Sequence, residues 1–252
     1  MSSSKIEKYK KKQILIMKDS GDSRVIKKKL IFDVPFRLAI VGGSGSGKTS
    51  LLNLLLIDPL KEFYKDLFDG ENVYIFSGSY KTDLKIKKLV EVLDVPSSNI
   101  FTEYDDSALG VIYDTIEERI QKKEFEHSLF IFDDLSYSSE IRAKRNNSLG
   151  KLYQNGRKNL ISSIFISQKY SSILPSVRVN LSGLILYQVP HSELEAVARD
   201  HNFLKKNKSF YDMFRSNVQE RHEFLVINYS NKFSHMYLDK EFVPIDSNQF
   251  DK

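Results

Sequence analysis

Phe36–Leu56, FRLAIVGGSGSGKTSLLNLLL, is the stretch from which the rest of the chain can be read. FRLAIV is a short apolar run suited to a buried strand, and TSLLNLLL suits a helix packed on a sheet. Between them Gly42-x4-Gly47-Lys48-Thr49 satisfies G-x-x-x-x-G-K-[ST] in the strand-to-helix context that turns a pattern into a site. Glycines 42, 43, 45 and 47 let successive backbone N–H groups turn inward around an anion, and the helix opening near Gly47 adds its positive end. Gly42, Gly43, Ser44, Gly45, Ser46, Gly47, Lys48, Thr49 and Ser50 are therefore expected to hold a nucleoside triphosphate, with ATP the expected ligand. Lys48 would reach the β- and γ-phosphates, and the Thr49 hydroxyl would bind Mg²⁺.

Outward from this loop, short β-branched and aromatic runs at Asn72–Ser77, Asn99–Thr102 and Ser128–Phe132 read as buried strands. Thr82–Leu93 and Leu109–Glu124 carry helical apolar spacing between them. Leu160–Ser167 and Gly183–Val189 read as two more core strands, and Glu193–Asn202 as a helix. Strands alternating with helices imply an α/β fold, a mostly parallel central sheet flanked by helices, with ligands at the carboxyl ends of the strands. Glu223–Asn228 and Ser234–Leu238 flank a polar turn and read as a C-terminal β-hairpin at one sheet edge.

At the end of the strand SLFIF stand Asp133 and Asp134, whose side chains strand alternation sends different ways. Asp133 would hold Mg²⁺ through water; Asp134 would polarise the attacking water. The next core strand ends in Ser167-Gln168, where an amide could bond both that water and the γ-phosphate. Alone, a Gln after a strand is usually just a loop polar residue; its place after Asp134 favours the sensor. Just before that strand, Arg157 sits in a glycine turn, either as a surface cation or as an arginine finger inserted into a neighbouring subunit's site.

Composition excludes several classes. The 252 residues contain no cysteine, so disulfides, thiolate metal sites and thiol nucleophiles are unavailable, which suits a reducing compartment. No apolar run approaches the roughly 18–20 residues that span a bilayer, and the N-terminus lacks a signal-peptide core, so no membrane span is expected. The formal charge is +5, but residues 1–30 hold ten Lys/Arg against three acids, leaving about −2 for everything after. That divides the chain into a basic N-terminal leader, 1–30, and one ATPase domain, 31–252. The leader is either an arm for the phosphates of nucleic acid or another polyanion, or a solvated tail. Lys205-Lys-Asn-Lys208 is a secondary candidate contact.

Taken in order, FRLAIVGGSGSGKTSLL, LFIFDDL, NGRKNLISSIFISQ and PSVRVNLSGLILY resemble the FtsK/HerA superfamily of P-loop motors. Within it they look like the genome-packaging ATPases of large DNA viruses and their satellite viruses, the poxvirus-type group. The resemblance runs from about Phe36 to Val189. It implies a RecA-like (ASCE) fold and Mg²⁺-dependent ATP hydrolysis. It also implies a homo-oligomeric ring, pentamer or hexamer, that drives double-stranded DNA into a capsid. Gln168 would be the strand-end sensor and Arg157 the trans-acting arginine. Double-stranded DNA, held without sequence preference by its phosphate backbone, and capsid proteins would be the partners. The host-cell cytoplasm or viral factory, or the virion, would be the place. Arg178 and Asn180 match a short R-x-N segment, as a cap on the following strand or as a nucleotide or DNA contact. Asp134 stands where cellular relatives carry glutamate, and no winged-helix DNA reader is visible. A transporter-type ATPase is disfavoured because residues 110–128 hold no LSGGQ-like signature, and a GTPase because Asn231-Lys-Phe-Ser lacks the aspartate of N-K-x-D. A small-molecule P-loop kinase and a non-hydrolysing nucleotide-dependent scaffold stay open.

Overall fold

The computed structural model describes residues 23–28, 31–61, 63–135 and 148–251. Among these, eight strands form one sheet: β1 (Arg37–Val41), β2 (Val73–Ser77), β3 (Ile100–Phe101), β4 (Ser128–Asp133), β5 (Ile161–Ser167), β6 (Gly183–Tyr187), β7 (Phe224–Asn228) and β8 (Tyr237–Leu238). Their spatial order is β3-β2-β4-β5-β1-β6-β7-β8. Every pairing from β3 through β6 is parallel, whereas β6–β7 and β7–β8 are antiparallel. The expected parallel sheet and C-terminal hairpin are thus present, with the hairpin extending the sheet beyond β6.

Alternation along each strand sends side chains to two separate cores. In β1 Leu38 and Ile40 face one layer and Ala39 and Val41 the other; in β4 Leu129 and Ile131 oppose Phe130 and Phe132. The first layer is covered by α1 (Lys48–Ile57) and α2 (Leu84–Leu93) through Leu52, Leu55, Ile86 and Leu89. The second is covered by α3 (Asp106–Gln121), α4 (Ser148–Asn155), α5 (Pro175–Arg178), α6 (His191–His201) and α7 (Asn207–Asn217). Burial on both faces is why these strands read as continuous apolar runs.

Some differences from expectation lie at element ends. Side chains of Asp83 and Asp105 accept from Lys85 N and Ala108 N, so capping starts α2 at Leu84 and α3 at Asp106. The second hairpin strand shortens to Tyr237–Leu238 because Phe233–His235 takes a 3₁₀ turn. Helices α4, α5 and α7 add to the expected elements; in α7 only Phe210, Met213 and Phe214 form a buried apolar stripe amid charged and polar neighbours.

Most of the leader, residues 1–22, 29 and 30, lies outside the described residues. Residues 23–28 lie against the domain: Ile26 bridges Val34, and Lys27 pairs with Asp33 at 2.8 Å.

Gly183, opening β6, has no room for a side chain, because a Cβ there would run into the ring of the fully buried Phe32. Gly183→Ala should cost about 1–3 kcal/mol by overpacking. The melting temperature should fall by about 2–4 °C per kcal/mol in a domain of this size. An unchanged melting curve would show that this contact is not tight.

Candidate functional site

β1 ends at Val41, and the chain turns through the glycine loop into α1. Gly47 caps the helix in the left-handed region, at φ 107°, and among the described residues no side chain caps the first turn, whose N–H groups stay open to an anion. Gly42 is held by crowding: a Cβ would stand 2.5 Å from Tyr187 Cβ and 2.9 Å from Ser46 Oγ. Lys48 Nζ donates to the carbonyls of Gly42 at 2.7 Å and Gly43 at 2.9 Å. Burial pulls the Lys48 ammonium below its usual range, opposed by the negative charges of Asp133 and Asp134. Ser46 Oγ is buried without a hydrogen-bond partner among the described residues.

The loop opens into a cleft of about 820 Å³ that Ser44 through Ser50 line together with Ser79, Asp133, Asp134, Gln168 and Tyr187. Gly42 and Gly43 form the base of the loop and meet the site through the carbonyls that hold Lys48. Ser50 Oγ accepts from Lys85 Nζ at 2.6 Å.

Parallel pairing brings the acids to the loop. β4 pairs β5 with Asp133 opposite Ile166, and β5 pairs β1, so the carboxyl ends of all three meet at one edge. Asp133 is 5% exposed, and the hydroxyls of Ser77 and Ser79 donate to its Oδ2 at 3.0 and 2.9 Å. Burial raises its pKa, with the two serine hydrogen bonds acting in the opposite direction. Asp134 turns away with φ 54°, and its Oδ1 accepts from Gln168 Nε2 at 3.3 Å. Asp and Asn tolerate that left-handed conformation better than Glu, which gives a backbone reason for an aspartate here.

The ionised, buried Asp133 is destabilising for the fold because its pKa is raised. Asp133→Asn should therefore raise the melting temperature of the nucleotide-free protein while keeping an acceptor for Ser77 and Ser79. Thermal unfolding at neutral pH checks this; a lower melting temperature would contradict it.

Arg157 is not in this cleft. It is exposed in the 3₁₀ turn Gly156–Asn159, at the amino-terminal end of β5, opposite the end that carries Gln168. Arg178 and Asn180 are engaged inside the chain: Arg178 Nη1 donates to Asp200 Oδ2 at 3.0 Å, and Asn180 Nδ2 to Ser176 O at 2.8 Å, closing α5 ahead of β6. Lys205 is likewise tied, its Nζ donating to Asp251 O at 3.3 Å.

Several residues at the site escaped the sequence reading. Ser77 and Ser79 lie more than fifty positions from the carboxylate they hold. Tyr187, His222 and Phe224 line the flank of the cleft formed by β6 and β7, with His222 Nδ1 3.0 Å from Ser46 O.

The fold has solved counterparts. The genome packaging NTPase B204 of Sulfolobus turreted icosahedral virus 2, in complex with AMP, superposes with a TM-score of 0.56 at 13% identity, covering 81% of this chain and 96% of that one. The pCW3 conjugation coupling protein TcpA gives 0.53 at 14% identity, covering 90% and 68%. In sequence, the DNA packaging protein OPG160 of Variola virus, and that of Vaccinia virus (strain Western Reserve), is 28% identical over 187 residues, 73% of this chain. The chain spans 64% of the length of these relatives. The family model of the poxvirus A32 protein matches residues 22–238. With the loop, the paired aspartates and the strand-end glutamine on its own sheet, the chain belongs to the poxvirus A32 protein family.

Proposed function

We propose that this chain is an ATP-hydrolysing motor that moves double-stranded DNA into a viral capsid. The observation that carries the reading is the meeting, at the ends of β1, β4 and β5, of the glycine loop, Asp133, Asp134 and Gln168 in one cleft. Membership of a family whose relatives include DNA packaging proteins supplies the cargo. Host-cell cytoplasm or a viral factory is the corresponding place of work.

On this reading the loop N–H groups cradle the phosphates, and Lys48 exchanges two backbone carbonyls for β- and γ-oxygens. The donor set suits magnesium. Both serines donate to Asp133 Oδ2, leaving Oδ1 for a cleft ligand, with the Thr49 hydroxyl lining the same cleft. Among the described residues no three His, Cys, Asp or Glu gather as a metal cage. A metal held by few protein ligands, completed by water and phosphate, is the habit of Mg²⁺. Thr49 and Asp133 would hold it, and it would neutralise charge on the phosphate oxygens. Asp134 then orients the attacking water, Gln168 bridges Asp134 to the γ-phosphate position, and Arg157 serves the adjacent subunit of a ring.

The test is ATPase rate with and without linear double-stranded DNA, on protein sized with a non-hydrolysable ATP analogue. Rings whose turnover rises with DNA are expected. That stimulation should fall as salt increases, because each phosphate contact releases condensed counterion. Monomers with turnover indifferent to DNA would remove the motor reading. Among the described residues no helix is long and apolar enough to cross a membrane.

A further inference from the structure

We propose that Arg221 is a second cation for the phosphate chain, acting within its own subunit and contacting nucleoside di- and triphosphates alike; the assignment rests on the nucleotide reading of the cleft. β7 is antiparallel to β6, with Phe224 paired to Tyr187. Its amino-terminal end therefore arrives where its parallel neighbours finish, and the residues just before it land on the glycine loop. The Arg221 guanidinium occupies the space that a Cβ on Gly45 would fill, and Gly45 has φ 71°. The left-handed φ favours glycine at this position, and the missing side chain leaves the guanidinium room to stand against the cradle.

His222 fixes the segment. A carbonyl only accepts, so the 3.0 Å contact to Ser46 O places the proton on His222 Nδ1 and ties this turn to the loop itself. Arg221 is exposed and forms no ion pair among the described residues, so its donors remain available beside the loop. The buried Ser46 Oγ, without a partner among the described residues, is a further polar atom of the same loop.

Topology indicates which part of the nucleotide the arginine meets. Asp133, Asp134 and Gln168 arrive from β4 and β5 on one side of β1, whereas Tyr187 and His222 arrive from β6 and β7 on the other. Arg221 thus approaches the phosphate chain on the flank away from the acids that face the γ-phosphate. Its planar donor fork matches two phosphate oxygens there, and loss of the γ-phosphate leaves that contact in place.

Calorimetric titration of the full chain with ATP, ADP and pyrophosphate, each with Mg²⁺, tests this in Arg221→Ala, Arg221→Lys and Lys48→Ala. Arg221→Ala should weaken all three ligands about tenfold or more, with an unchanged melting temperature, and Arg221→Lys should recover part of the loss. Weaker ATP and ADP with unchanged pyrophosphate would overturn the phosphate assignment and place the arginine on the nucleoside. Unchanged binding of all three, while Lys48→Ala binds none, would overturn the role of Arg221 and leave the nucleotide reading standing. Unaltered nucleotide binding by Lys48→Ala would bring down that reading itself.

Discussion

Arg157→Ala should bind ATP normally and hydrolyse it roughly 10³–10⁵-fold more slowly, the range in which an arginine finger operates. Mixed with Lys48→Ala subunits, it should regain part of the rate. The reason is geometric. β5 is seven residues long and rises about 3.3 Å per residue, so about 20 Å separates its two ends. Arg157 stands at the end opposite the cleft of its own chain and cannot reach it. In a mixed ring a Lys48→Ala subunit offers an intact arginine to the intact cleft of an Arg157→Ala subunit. Co-purification of differently tagged subunits establishes mixing. With mixing established, no recovery would remove the arginine from catalysis across the interface.

Asp134→Asn should retain ATP and lose roughly 10²–10⁴-fold in turnover, the usual contribution of a positioned general base. The variant is informative because asparagine tolerates the left-handed backbone that Asp134 adopts at φ 54° and keeps an acceptor for Gln168. What it removes is the negative charge. A binding titration beside single-turnover hydrolysis separates the two steps. Loss of binding would make Asp134 part of the grip, and unchanged turnover would pass the base role elsewhere.

Much of this architecture is legible in residue order. The strand, loop and helix around Gly42–Thr49 announce themselves because pattern and context fall within one short stretch, and Asp133-Asp134 closes an unmistakable apolar run. Gln168 follows its strand just as plainly. The missing parts depend on pairing between distant segments. Ser77 and Ser79 reach Asp133 only because β2 lies beside β4, and no local feature of Ser77-Gly-Ser79 points to a carboxylate. Arg221 and His222 reach the loop only because β7 runs antiparallel, reversing which end of the strand faces the site. Helix α7 hid for another reason: three buried apolar residues in eleven leave little periodic signal.

β5 carries Gln168 at one end and the turn of Arg157 at the other, buried along its whole length between two parallel partners. A strand so clamped behaves as a strut. In a ring working as proposed, its ends stand in two different nucleotide sites, so a shift of the sensor along the strand axis is also a shift of the arginine offered next door. The order in which subunits fire would then be set by the stiffness of one strand, with no separate messenger between neighbours.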